Sequence, residues 1–192
     1  MDILLRPDRV YSRHEVLTTD AVPRSPGVYG WWFREVPPSV PIEGCIQRDG
    51  FTLLYVGIAP KAPPMNGAPS SSRTLRHRLR YHMGGNAYGS TLRLTLGCLL
   101  SQQLGIELRR VGSGTRLTFA DGEAKLSGWM SENAFVCWAV TERPWEAETS
   151  AIGLICLPLN LAQNKSHAFH AQLSACRAAA KRRAREMPIW GG

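Results

Sequence analysis

Two short runs of aromatic and β-branched residues form the clearest hydrophobic pattern in the chain. They span residues 28–33 and 51–58, and Pro and Gly clusters bound both of them. This pattern is typical of β-strands, and we expect the two runs to pair as a hairpin. The connection, residues 34–50, holds three prolines, which makes it too long for a tight turn and unable to continue a ladder. We therefore expect a surface loop there.

A polar loop and a helix follow the second strand. Residues 60–72 are rich in Pro, Gly and Ser, which predicts a mobile loop. A helix is expected to begin near residues 72–73 and to end at the glycines 84–85. It carries Arg78 and His82, which are four residues apart and therefore lie on the same helix face.

Residues 84–130 carry further elements, which we interpret as an insertion. Leucines at a helical spacing within residues 90–104 predict a helix. Residues 106–119 are broken by a Gly-Ser-Gly sequence and predict a small hairpin. Residues 123–133 predict a short helix with its apolar side chains on one side.

The last part of the chain returns to the pattern of the first two strands. Residues 134–141 predict a third strand; Pro144 then opens a helix that extends to about Leu157 and stops at Pro158. A final helix is expected over residues 166–185. The predicted fold class is α+β, with a small three-stranded antiparallel sheet flanked by helices and an inserted helical and hairpin segment.

Composition favours a globular protein without a membrane-spanning segment. The chain has 192 residues, of which 44% are hydrophobic and 20% charged, which suits a single domain over residues 1–192. No apolar run is long enough to span a membrane, and the first residues do not resemble a signal peptide. We therefore expect a cytoplasmic protein.

Cysteine and histidine spacing gives little support for a metal or disulfide framework. The five cysteines are scattered and contain no CxxC pair, which argues against disulfides and against a zinc knuckle. His167 and His170 are three residues apart and raise the possibility of a metal pair, but no Cys or acidic residue lies near them in sequence. A polar helix start is the simpler interpretation.

Positive charge is concentrated in two segments. The formal net charge is +8, with seven Arg against Glu107 in residues 73–110 and six Lys or Arg against Glu186 in residues 165–192. Two basic segments on a nearly neutral body are typical of a surface that binds a polyanion. Charge alone is equally compatible with two solvated helix faces.

Two tripeptides place a tyrosine and a glycine within the predicted strands. Gly27-Val28-Tyr29 lies in the first strand and Tyr55-Val56-Gly57 in the second. A phenol on a rigid strand, beside a glycine that leaves space for a ligand, can serve a reacting phosphate as well as pack a core. Without further support, such a tyrosine usually has a packing role.

Four further polar residues follow the two tripeptides in order: Arg78, His82, Glu148 and Asn160. In this order the chain resembles the GIY-YIG nuclease superfamily, with Gly-Val-Tyr and Tyr-Val-Gly standing for its two name-giving motifs. The resemblance extends from about residue 27 to residue 160, and the superfamily has the core predicted above. It implies an endonuclease that hydrolyses phosphodiester bonds.

The resemblance also implies a role for the residues of the first two elements and the following helix. Tyr29 would be the general base; because a free phenol titrates near ~10, nearby cationic charge or a metal-bound species must activate it. Tyr55 would orient water or phosphate. Arg78 would hold the scissile phosphate, and His82 would relay a proton or contact the phosphate.

Glu148 and Asn160 complete the implied site. Glu148 would hold Mg²⁺ (or Mn²⁺), which takes carboxylate, water and phosphate oxygens as ligands, and Asn160 would bond to the catalytic tyrosine or the phosphate. Glu146 remains an alternative to Glu148 because both lie in the first turns of the same predicted helix. Asn164 remains an alternative to Asn160, although Asn160 lies closer to the preceding proline.

The first functional hypothesis is a metal-dependent endonuclease acting on DNA, or on RNA, with the two basic segments binding phosphates. The main alternative is a catalytically inactive nucleic-acid-binding module with the same fold. A third is an interaction domain whose basic tail binds an acidic protein. The chain has no helix-turn-helix or zinc-finger pattern that would supply base recognition, and the oligomeric state stays open.

Overall fold

The computed structural model describes residues 2–63 and 73–191, and eight helices and six strands lie in this part of the chain. Most of the loop predicted at residues 60–72 lies outside the described residues. The helices are α1 (Asp2–Leu5), α2 (Arg13–Thr18), α3 (Leu75–Gly84), α4 (Thr91–Leu99), α5 (Ser101–Leu104), α6 (Gly122–Asn133), α7 (Pro144–Leu154) and α8 (His170–Glu186). The strands are β1 (Gly27–Phe33), β2 (Gln47–Arg48), β3 (Phe51–Ala59), β4 (Arg109–Val111), β5 (Arg116–Thr118) and β6 (Ala134–Val140).

The fold is α+β, as predicted, but the main sheet has four strands rather than three. Its order is β2-β3-β1-β6, and every neighbouring pair is antiparallel. The extra strand, β2, lies in the connection that was expected to be a surface loop. The reason is a turn at Asp49-Gly50, where both residues have positive φ (51° and 78°), as a two-residue type I′ hairpin turn requires.

The sheet separates two apolar layers, and β1 is buried along its whole length. Tyr29, Trp31 and Phe33 face one layer together with residues of α3, α4, α6 and α8. Val28 and Trp32 face the other, with residues of α1 and α7. Because side chains alternate along a strand, a central strand that reads as apolar without interruption is the expected result of covering both faces.

The register of β1 and β3 explains the two tyrosine-glycine tripeptides. Tyr29 lies directly opposite Gly57. A Cβ atom added to Gly57 would lie only 2.6 Å from the Tyr29 hydroxyl oxygen, so a side chain there would collide with the phenol. Gly27 is similarly constrained, because an added Cβ would lie 2.3 Å from the Ala139 carbonyl oxygen.

Several predicted helix limits shift in the structure. Helix α3 begins at Leu75, after the Thr74 side chain caps its first turn. Helix α7 ends at Leu154 rather than near Leu157, because the chain turns extended at Ile155. Helix α8 begins at His170 rather than at residue 166, and α1 and α2 were not predicted at all.

The segment predicted as an insertion packs into the same core as the sheet. Its centre is Arg93 of α4, which is fully buried. The Arg93 Nη2 atom lies 2.7 Å from a carboxylate oxygen of Glu123 and 3.1 Å from the Ser127 hydroxyl on α6, and Nη1 lies 3.4 Å from the His82 carbonyl oxygen on α3. Arg93 therefore ties three helices together. The predicted hairpin forms a separate two-stranded sheet, β4-β5.

Across residues 2–63 and 73–191, none of the helices combines the length and the apolar character needed to cross a bilayer.

Candidate functional site

A chain of three buried polar side chains links β1, α3 and the start of α4. The Tyr29 hydroxyl lies 2.9 Å from His82 Nε2, and His82 Nδ1 lies 2.7 Å from the Ser90 hydroxyl. Ser90 also caps α4, because its hydroxyl accepts a hydrogen bond from the Arg93 backbone N–H. All three side chains are buried, and Tyr29 is 1% exposed. A proton can therefore be exchanged along this chain without contact with bulk water.

Burial keeps both ends of the Tyr29–His82 hydrogen bond neutral. Burial raises the pKa of Tyr29, as does the nearby Tyr55 phenol, and the positive charge of Arg78 opposes both effects. Burial also holds the pKa of His82 well below its usual value, and the Arg78 and Arg93 charges lower it further. At neutral pH the pair is a phenol and a neutral imidazole, of which one ring nitrogen can accept a proton.

Arg78 lies beside this pair and is half-buried. Its Nη1 atom donates a hydrogen bond of 3.0 Å to the Gly89 carbonyl oxygen. Burial disfavours the Arg78 cation, but the Tyr29 and Tyr55 phenols more than offset this and its pKa is raised. Arg78 therefore stays charged, and part of its donor fork is left for an anion.

A cavity of about 470 Å³ lies between β3, α4, α7, α8 and the segment after α7. Tyr55, Glu148 and Asn160 line it, and so do Arg177 and Lys181 of α8. Burial raises the pKa of Glu148 to about 7, while the charges of Lys61 and Arg78 act in the opposite direction. A half-buried carboxylate that faces a cavity in this way is suited to a cation.

Glu146, the sequence alternative to Glu148, has a different environment. It is exposed, and its carboxylate pairs with Arg143 three residues earlier, at 3.2 Å. Only Glu148 of the two lines the cavity. The geometry favours Glu148 as the metal-binding carboxylate, which stays a prediction.

Asn160 contacts the backbone of β3 instead of a tyrosine. Its Oδ1 atom accepts from the Val56 N–H at 2.9 Å, and its Nδ2 atom donates to the Val56 carbonyl at 2.8 Å. The side-chain amide thus pairs with Val56 as a neighbouring strand would, and it fixes the strand between Tyr55 and Gly57. Asn164 in turn donates to the Asn160 carbonyl oxygen, at 3.2 Å.

The His167–His170 pair considered from the sequence acquires a cysteine neighbour in space. His167 Nε2 lies 3.2 Å from Cys156 Sγ, which itself lies 3.3 Å from Cys45 Sγ. All five cysteines are free thiols. In the described part of the chain, no group of three or more His, Cys, Asp or Glu side chains is arranged to hold a metal ion. A metal at Glu148 would accordingly have one protein carboxylate in its shell.

The structure thus brings the six predicted residues together in two adjoining groups. One contains Tyr29, Arg78 and His82, and the other lines the cavity with Tyr55, Glu148 and Asn160. Arg78 connects them, because its charge acts on Tyr29 and on Glu148.

Sequence reasoning missed three residues at this site. Ser90 was recognised only as the start of a helix, although a serine three positions before Arg93 is a usual capping pattern. Arg177 and Lys181 were counted within a basic segment; their spacing of four residues, which places them on one helix face, was the available signal.

A family model spans both groups of residues. The family model described as "GIY-YIG catalytic domain" matches residues 27–179. The chain belongs to the GIY-YIG family. The match contains both tyrosine-glycine tripeptides, α3 and every residue that lines the cavity except Lys181. Membership of the family indicates nuclease function. No curated protein and no solved structure matches this GIY-YIG chain.

Proposed function

We propose that this GIY-YIG protein is a divalent-metal-dependent endonuclease that hydrolyses phosphodiester bonds in DNA. The observation that supports this most directly is the buried Tyr29–His82–Ser90 chain, which ends beside a charged Arg78 and adjoins a cavity lined by Glu148. Hydrolysis of a phosphodiester needs a base for water, positive charge on the phosphoryl oxygens and help for the leaving oxygen. The two groups of residues offer candidates for each requirement.

Tyr29 is proposed as the base, with His82 taking its proton. In the free protein, burial and the Arg78 and Arg93 charges keep His82 neutral, but a phosphate bound at Arg78 would offset one of these charges. With Nδ1–H donated to Ser90, the Nε2 atom would then accept the Tyr29 hydroxyl proton while the phenol oxygen takes a proton from the attacking water. The positive charge of Arg78 favours the phenolate, and exclusion of bulk water strengthens that interaction.

Arg78 and Tyr55 are proposed to position the scissile phosphate. The guanidinium of Arg78 has donor groups beyond the one bonded to Gly89, and it can hold two phosphoryl oxygens through its planar fork. Tyr55 lines the cavity next to Glu148, where its hydroxyl can orient water or phosphate. Asn160 acts through β3, because it fixes the strand that carries Tyr55.

Glu148 is proposed to hold the divalent metal, Mg²⁺ or Mn²⁺. Its environment fits such an ion, since the carboxylate is half-buried, faces a cavity and has its pKa raised to about 7 by burial. A hard divalent cation accepts one carboxylate with water and phosphate oxygens in the remaining positions. When bound, the metal would stabilise negative charge on the phosphoryl and leaving oxygens.

A supercoiled-plasmid nicking assay tests this function. Wild-type protein should nick DNA with Mg²⁺ and not with EDTA, and Tyr29→Phe, Arg78→Ala and Glu148→Ala should each lower the rate by about 100-fold or more. Glu146→Ala is the matched control, because it removes an exposed carboxylate from the same helix; it should leave nicking unchanged.

The competing function is an inactive module that binds nucleic acid. It would show salt-sensitive DNA binding but no cleavage with any divalent metal, on plasmid, single-stranded DNA or RNA. Cleavage of RNA in place of DNA would keep the proposed chemistry and correct the substrate.

A further inference from the structure

Helix α8 presents two positive side chains to the cavity that Glu148 also lines. Arg177 and Lys181 both line the cavity, together with the Ser174 hydroxyl one turn before Arg177. Residues spaced by three and four positions share one helix face. The buried Leu173 and Ala184 anchor the helix to the core, so this polar face is held in place.

Arg177 is an uncommon kind of surface arginine. It is half-buried, and within the described part of the chain its guanidinium forms neither an ion pair nor a hydrogen bond with protein atoms. Burial lowers its pKa, while Cys98, Tyr55 and Cys176 act in the opposite direction. A partly desolvated guanidinium is costly unless an anion compensates it.

The distribution of charge around the cavity points to two anions instead of one. The charge of Arg78 acts on Tyr29 and Glu148. Arg177 and Lys181 line the same cavity, but neither is among the charges that act on these two side chains. Tyr55 is near both groups, because the charges of Arg78 and Arg177 both act against the burial that raises its pKa. One phosphate held by Arg78 would leave the two cations of α8 without a partner.

We propose that Arg177 and Lys181 form a second phosphate-binding position, which holds the phosphate next to the scissile one on the cleaved strand. This inference rests on the proposed nuclease function. The enzyme would then cut a bond faster when another phosphate flanks it, and a substrate with a single phosphodiester would occupy only the position at Arg78. The role of the two side chains is to position the strand, and contacts of this kind carry no base sequence.

The first arm of the test compares substrates with one and with several phosphates. On DNA, Arg177→Ala should lower kcat/KM by roughly 10- to 100-fold through misplacement of the strand. On bis(p-nitrophenyl) phosphate, which has one phosphodiester, Arg177→Ala should hydrolyse at the wild-type rate. Equal losses on both substrates would mean a structural role and would overturn the proposal.

The matched control is Arg182→Ala, because Arg182 is an exposed arginine of α8 that is absent from the residues lining the cavity. It removes the same charge and should change kcat/KM on DNA by less than about twofold. If Arg177→Ala and Arg182→Ala lower kcat/KM on DNA equally, non-specific electrostatic attraction between α8 and DNA explains the loss, and the proposal of a second phosphate position is wrong.

The second arm of the test uses short DNA duplexes in which the cleavage position is known and one phosphate at a time is replaced by a neutral analogue. A neutral methylphosphonate at the flanking phosphate should slow the wild-type protein, and Arg177→Ala should show no further loss on that substrate. If the effect of Arg177→Ala and the effect of the methylphosphonate multiply when the two are combined, Arg177 does not contact that phosphate and the proposal is overturned.

A binding measurement separates failure of this inference from failure of the nuclease function. The slope of log Kd against log salt for DNA should become smaller by about 1 in Arg177→Ala and stay unchanged in Arg182→Ala. If the wild-type protein cuts no substrate, the nuclease function is wrong. The salt dependence of binding still tests the second phosphate position, because an unchanged slope in Arg177→Ala would overturn it.

Discussion

Residue 57 must be a glycine because the Tyr29 side chain, on the neighbouring strand, occupies the space that any larger side chain would need. We predict that Gly57→Ala moves the Tyr29 phenol away from His82, since the added carbon would lie 2.6 Å from the hydroxyl oxygen. Stability should fall by about 1–3 kcal/mol through overpacking, and nicking should be lost. Thermal unfolding and the nicking assay measure the two effects.

The control for this substitution is Gly128→Ala in α6, where an added Cβ has no neighbour within 4 Å. Removing a helical glycine there should raise stability by roughly 0.5–1 kcal/mol and leave nicking intact. A Gly57→Ala protein that behaved like the Gly128→Ala protein would show that the close approach of Tyr29 and Gly57 is not needed.

Glu148 makes the stability of the metal-free protein depend on pH. Burial raises its pKa from 4.5 to about 7, so between these values the folded state binds more protons than the unfolded state, and stability falls as pH rises. We predict that Glu148→Gln removes this loss and is more stable than wild type at pH 8 by roughly 1–3 kcal/mol.

Urea unfolding at pH 4.5 and pH 8, with and without Mg²⁺, measures this difference. The two proteins should be similar in stability at pH 4.5, and Mg²⁺ at pH 8 should stabilise the wild type alone, because a ligand of the folded state adds to stability. If the free energy of unfolding depends on pH in the same way in the two proteins, the Glu148 carboxylate is not buried as described.

At the scale of helices and strands, one buried arginine connects α3, α4 and α6. Arg93→Ala would leave the Glu123 carboxylate without its partner in a site where Arg93 is fully buried. We predict a loss of about 3–5 kcal/mol in the free energy of unfolding, measured by urea titration. Because α3 carries Arg78 and His82, nicking should fall as well.

Arg183→Ala gives the comparison for this prediction. Arg183 pairs with Glu107 at 2.7 Å, but its side chain is 74% exposed, and exposed pairs contribute about 0–1 kcal/mol. Equal effects of the two substitutions would mean that Arg93 is not the link between the helices.

Local sequence pattern predicted the elements that have strong periodicity or clear ends. The runs that became β1, β3 and β6 are apolar and bounded by turn residues, and α3 lies between a threonine cap and two glycines. The strand β2 has two residues and is exposed, so no apolar pattern marks it, and only its Asp-Gly turn gave a signal. The start of α8 has no side-chain cap, which is why the sequence placed it four residues early.

The candidate site was predictable only where a motif carried it. Tyr29, Tyr55 and Arg78 were found through their order along the chain, whereas Ser90 joins the site through a hydrogen bond to His82 that depends on how α3 and α4 pack. Arg177 reaches the cavity because a helix near the end of the chain folds back against α4. Contacts between distant segments are decided by packing, which a single sequence does not display.

At the scale of the whole molecule, the main sheet lies between two apolar layers, and the position of Tyr29 depends on the packing of the layer that it faces. Trp31 and His82 make an edge contact with ring centroids 5.8 Å apart, on the same face as Tyr29. The sheet face that carries the Tyr29 phenol thus also packs against the larger apolar layer. A substitution that changes the packing of this layer would therefore also shift the proposed base.

Each edge of the main sheet has a backbone position that another part of the chain pairs with. Tyr11 exchanges two hydrogen bonds with Val136 beyond β6, and Asn160 pairs with Val56 where β2 no longer covers β3. Unpaired strand edges are templates for the association of one chain with another. The side-chain amide that steadies the proposed site therefore also shields a sheet rich in tryptophan from aggregation, so that losing Asn160 would threaten solubility as well as catalysis.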